Sequence, residues 1–64
     1  MEQKTVEEYA AEMWAAMNEN ERTGVRIGLF PYKKMEEASL MGYETTRLCI
    51  CLMDQARGHG GMIA

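Results

Sequence analysis

Thr5-Val6-Glu7-Glu8 is a capping box, in which the Thr hydroxyl meets the backbone N–H three residues on and the Glu carboxylate reaches back. Apolar residues follow it at helical spacing. Val6, Tyr9, Ala10, Met13, Trp14 and Met17 stand at i, i+3, i+4, i+7, i+8 and i+11, which at 100° per residue is one stripe. The pattern predicts one helix over 5–22, with Gly24 as its stop. A striped helix needs a cover, so it fixes an apolar face against which the rest of the chain has to pack.

Residues 25–30, Val-Arg-Ile-Gly-Leu-Phe, alternate only loosely and hold a glycine in mid-run, so they read as an extended connector. Pro31 suits the first position of a second helix over 31–41, which Gly42 would cap, although Lys33 and Lys34 in its first turn oppose the helix dipole. A third helix is expected over 44–57. It includes the apolar run Leu48–Met53, which length assigns to helix over buried strand. The expected fold is therefore all-α, a single three-helix domain over 1–64 with a glycine-rich tail at 58–64. Its expected core is Val6, Tyr9, Met13, Trp14, Met17, Leu29, Phe30, Met35, Leu48 and Leu52. The competing arrangement is α+β, with 25–30 paired to 46–52.

Size limits what such a domain can do. At roughly 25 cal/mol per Å², the apolar area a chain of this mass buries stabilises it by on the order of 95 kcal/mol. Ordering its 64 residues at ~1.5 kcal/mol each costs about the same. Stability must lean on helix packing, a partner or a second copy. A two-domain enzyme and a deep substrate cavity are excluded, and no apolar run approaches the roughly 20 residues of a membrane span.

The net charge of -3 is unevenly placed: residues 1–21 hold six acids and one base, residues 22–34 hold Arg22, Arg26, Lys33 and Lys34 with no acid. The acidic half argues against direct nucleic-acid binding, which needs clustered Lys and Arg, and favours a basic partner. Cys49 and Cys51, two apart, are too close for an unstrained disulfide and read as free thiols. With Glu2, Lys4, Glu7 and Glu8 where a signal peptide has an apolar segment, the expected location is the cytoplasm.

Chemistry-bearing clusters are few. Cys49, Cys51 and His59 fall one ligand short of a structural zinc site, and their spacing is wrong for one. The one His and the one Ser, Ser39, have no acid placed to orient either, so no enzyme and no cofactor are expected. Gly58-His59-Gly60-Gly61 follows a helix end, where a phosphate loop would precede a helix start. Glu8, Glu12 and Glu19, on an unbroken first helix, lie within about 40° of one another along about 16 Å of axis. This acidic row, opposite the apolar stripe, reads as either a solvated face or a mimic of a phosphate backbone for a basic groove. On the third helix Ile50 falls almost opposite Leu48 and Leu52, beside Asp54 and Arg57. Such an apolar residue wants a partner surface or a homodimer. The expected partner-binding residues are therefore Glu8, Glu12, Glu19, Ile50 and Asp54, and the seven methionines add adaptable contact surface.

Two resemblances bear on function. Over residues 34–53, Ala38, Gly42 and Leu48 stand at the spacing of the small residue, turn glycine and core residue of helix-turn-helix proteins, which this stretch resembles. That resemblance implies a small DNA-binding regulator, with Glu44, Thr45, Thr46 and Arg47 opening its recognition helix. The chain as a whole is similar, at the level of class, to the small acidic phage-encoded inhibitors that include anti-CRISPR proteins. That likeness implies a stoichiometric, non-catalytic blocker, often of a nucleic-acid-binding assembly in the host cytoplasm. The first expectation is the blocker, the alternative the regulator.

Overall fold

The structure, a computed structural model, describes residues 3–58. It is all-α, built of α1 (Val6–Ala16), α2 (Glu19–Arg26), α3 (Tyr32–Leu40) and α4 (Thr45–Ala56). Among the described residues there is no strand, so 25–30 and 46–52 do not pair.

α1 starts at the expected capping box, the Glu8 N–H donating to Thr5 Oγ1 at 3.1 Å and the Thr5 N–H to Glu8 Oε1 at 3.2 Å. It stops earlier than expected. The helix anticipated over 5–22 is interrupted at Met17 and Asn18, both in extended conformation. Asn18 opens α2 with a second capping box, its Oδ1 accepting from the Glu21 N–H at 2.8 Å while Glu21 accepts from the Asn18 N–H at 3.1 Å. An Asn side chain competes with the helical backbone hydrogen bond and favours the cap position, which is why the apolar periodicity alone overran the break. Arg22 closes the gap from the other side: its guanidinium donates to the Trp14 carbonyl at 3.1 and 3.0 Å and lies 5.2 Å from the Trp14 ring centroid. It thereby adds a charged donor to the Trp14 carbonyl, which also accepts from the Met17 N–H at 3.2 Å.

The break gives α2 a direction of its own. Val25, expected in an extended connector, is the seventh residue of α2 and fully buried. Gly24, expected as the helix stop, lies inside α2; the glycine that ends it is Gly28, with φ +87°. The Leu29 N–H donates to the Gly24 carbonyl at 2.7 Å and the Gly28 N–H to that of Val25 at 3.0 Å, a complete Schellman closure. α3 ends in the same way on Gly42, φ +98°, with Tyr43 N–H to Ala38 O and Gly42 N–H to Ser39 O, both at 3.0 Å. α3 and α4 fall within a residue of the expected 31–41 and 44–57.

The core is Ala10, Met13, Met17, Val25, Met35, Ala38, Leu48 and Leu52, with Val6, Tyr9, Trp14 and Phe30 half-buried around it. α1 and α4 form the principal helix pair, and α2 and then α3 add to α4. Leu29 does not belong to this core. It is 65% exposed, because the Schellman closure draws its backbone onto Gly24 and turns its side chain outward. The turn after α3 is tied to the start of α1: Tyr43 donates its hydroxyl to the Lys4 carbonyl at 2.8 Å, and the Tyr9 and Tyr43 rings stand 4.4 Å apart. No helix among the described residues is long and apolar enough to cross a membrane. Most of the tail expected at 58–64 lies outside the described residues.

Candidate partner-binding surfaces

The acidic row is divided. The break after α1 removes Glu19 from the line of Glu8 and Glu12 and places it in the first turn of α2, where its carboxylate pairs with Arg26 at 3.1 Å. Glu8 is committed to the capping box, and Glu12 pairs with Lys4 at 2.6 Å. That ion pair, through the hydrogen bond first and then the charge of Glu12, holds the Lys4 ammonium above its ordinary pKa. All three carboxylates remain exposed to solvent.

The structure supplies another acid where the sequence pointed to none. A cleft of about 240 Å³ between α1 and α3 is lined by Tyr9, Glu12, Met13, Lys34 and Glu37. Lys34 leans to Glu21 at 3.7 Å, whereas Glu37 makes no ion pair with any described residue. Burial first, and then the negative charge of Glu37, push the Tyr9 phenol above its ordinary pKa, and its hydroxyl donates to Met41 Sδ at 3.9 Å. No local pattern signals this juxtaposition, since Glu12 and Glu37 come to line one cleft only because α1 and α3, far apart in sequence, both pack on α4.

Ile50 and Asp54 lie elsewhere. α1 meets α4 through its Ala10 and Met13 side and α4 through its Leu48 and Leu52 side. The faces carrying Glu8 and Glu12 on α1, and Ile50 and Asp54 on α4, therefore look in opposite directions. The five expected partner-binding residues do not form one surface. Ile50 is 54% exposed, at the edge of a second groove of about 360 Å³ between α4 and the α2–α3 connector.

Neither thiol has the setting of a nucleophile. Burial raises the pKa of Cys49 and, with the nearby Glu7 and Asp54 against Arg47, that of Cys51, whereas reactive cysteines are lowered by positive surroundings. Both are free, on the same helix two residues apart. Among the described residues no three His, Cys, Asp or Glu side chains converge to hold a metal ion.

In the stretch 34–53, α3 and α4 are two helices joined by a short turn. Ala38 and Leu48 are buried, Gly42 takes the left-handed turn, and Thr45, Thr46 and Arg47 are exposed at the start of α4. Arg47 is turned toward Glu7 of α1 at 3.4 Å, and the outer face of α4 continues with Ile50, Met53 and Asp54. Set against protein-family models, characterised proteins and solved structures, the chain matches none.

Proposed function

We propose that this chain is a non-catalytic protein-binding module of the inhibitor kind, which covers a basic, nucleic-acid-binding surface of a cytoplasmic partner. The observation that carries this reading is the α1–α3 cleft, where two exposed carboxylates from different helices, Glu12 and Glu37, share one lining with Tyr9. A partner's Arg or Lys inserted there meets Glu37, unpaired among the described residues, and the Tyr9 ring, and competes with Lys4 for Glu12, the chemistry that receives a guanidinium. Glu8, one turn before Glu12, extends the acidic surface along α1. Such an array acts mainly by steering, through the association rate, and does so more strongly at low salt.

The test is capture of the partner from the source cell with the full chain, identification by mass spectrometry, and stopped-flow association at low and high salt. Glu12→Gln with Glu37→Lys leaves the capping box intact and is expected to slow association by about tenfold at low salt, with the gap closing at high salt. Association at the parent's rate at low salt would remove the acidic cleft from the interface.

A second reading has one observation in its favour, the buried Ala38 and Leu48 on two helices joined through the left-handed Gly42. A regulator of that kind is expected to bind duplex DNA, through Thr46 and Arg47 and the basic residues of 22–34, with a steep loss of affinity as salt rises. The acids Glu44 and Asp54 and the apolar Ile50 and Met53 on the same helix weigh against it. Fluorescence anisotropy with a labelled random duplex separates the two readings.

A further inference from the structure

The groove on the outer side of α4 is apolar at its floor and charged at one end. Phe30, Cys49 and Met53 are half-buried along it, and Gly28, whose positive φ keeps the site free of a side chain, opens one wall. Ile50 rises beside this hollow, and Asp54 and Arg57 close it with carboxylate and guanidinium 3.8 Å apart. We propose that this face is covered by the same face of a second copy, so that the chain forms a two-fold dimer through α4.

A two-fold interface uses one patch twice, so the patch must complement itself. This one does so in shape and in charge. It carries a projection, Ile50, and a hollow to receive one, and its rim sums to zero because Asp54 and Arg57 offset each other. The α1 side, by contrast, repels its own copy: each chain has net charge -3, and that side carries Glu8, Glu12 and the nearby Glu37. A strongly basic partner finds its match on that side, not on a neutral apolar groove. The contact is confined to one short helix, since α4 has 12 residues and is about 18 Å long. The dimer is therefore reversible, with the acidic clefts of both copies left facing outward. This goes beyond the proposed function, and it closes the Ile50 side of α4 to a DNA groove.

Sedimentation equilibrium of the full chain from ~1 µM to ~1 mM is expected to show a monomer–dimer equilibrium, weakened by about tenfold or more in Ile50→Glu. Far-UV circular dichroism checks that the variant keeps its helices, as an exposed site should. Charge supplies a test independent of that variant. Asp54→Arg leaves two cations on the rim and Arg57→Asp two anions, so each alone is expected to be monomeric, and an equimolar mixture is expected to form a heterodimer. Labelling of Cys49 in a Cys51→Ser background is expected to slow as concentration rises through the dimerisation range. A parent that stays monomeric to ~1 mM, or a charge pair that fails to associate on mixing, overturns the proposal. So does a monomeric parent whose Cys49 labels faster after truncation at Gly58, which would assign the groove to residues 59–64 of the same chain.

Discussion

Gly24 shows how one residue takes its role from a contact. In the sequence it marks a helix end, yet in the fold it sits inside α2 without a positive φ. A Cβ there would stand 3.0 Å from the Leu29 carbonyl oxygen, so the absent side chain is what lets the connector fold back. In an ordinary helix interior Gly→Ala stabilises by ~0.5–1 kcal/mol. Here Gly24→Ala is expected to lower the urea midpoint, because the Leu29 backbone has to give way; a raised midpoint would show that the close approach is not needed. Gly42 is the contrasting case. Its φ of +98° has open space around it, so Gly42→Ala is expected to cost about 1–2 kcal/mol through backbone strain alone.

At the scale of elements, the division of the expected 5–22 helix into α1 and α2 governs the rest. It moves Glu19 off the acidic row and brings Val25 into the core. The break rests on Asn18, with its reciprocal bonds to Glu21, and on Arg22, which takes up the Trp14 carbonyl. Asn18→Ala is accordingly expected to cost about 1 kcal/mol, within the usual range for an N-cap, read as a lower urea midpoint at unchanged slope. The far-UV helical signal should hold or rise, since Ala favours an uninterrupted helix. A variant as stable as the parent would mean that packing of Met17 and Val25, not the cap, enforces the break. By contrast α3 and α4 need little explanation beyond their sequence: Pro31 opens one and glycines at 42 and 58 stand just past the ends of both.

For the molecule as a whole, the shifted proton equilibria point one way. Lys4, Tyr9, Cys49 and Cys51 all have pKa values raised in the folded state, Lys4 by its bond to Glu12 and the other three chiefly by burial. A raised pKa means the folded chain holds its proton longer than the unfolded one, so this stability is complete at neutral pH. It is lost as pH climbs past the ordinary values of 9.0 for the thiols, 10.0 for Tyr9 and 10.5 for Lys4. The urea midpoint is expected to hold from pH 7 to 8.5 and to fall between pH 9 and 11. Replacing both cysteines by serine should remove the first part of that fall, and a midpoint flat to pH 11 would contradict the assignment of these shifts to folding.

Features that depend on near neighbours along the chain can be read from its residues alone. The Thr5 capping box, the glycine ends of α3 and α4, the all-α class, the burial of Met13, Met17, Met35, Leu48 and Leu52 and the outward position of Ile50 are all legible in spacings of a few residues. Short-range rules suffice there because capping and helical periodicity act over one to three turns. Where the first helix breaks, where Leu29 points and which acids share a site were decided only by the tertiary structure. An apolar stripe records that a face is buried but not the direction its helix takes after a cap. Glu12 and Glu37 share one cleft, and Ile50 shares a groove with Gly28 and Phe30, through helix packing between residues twenty or more positions apart. Those contacts are fixed by the shapes of the faces that pack, a property of the folded chain and of no single segment in it.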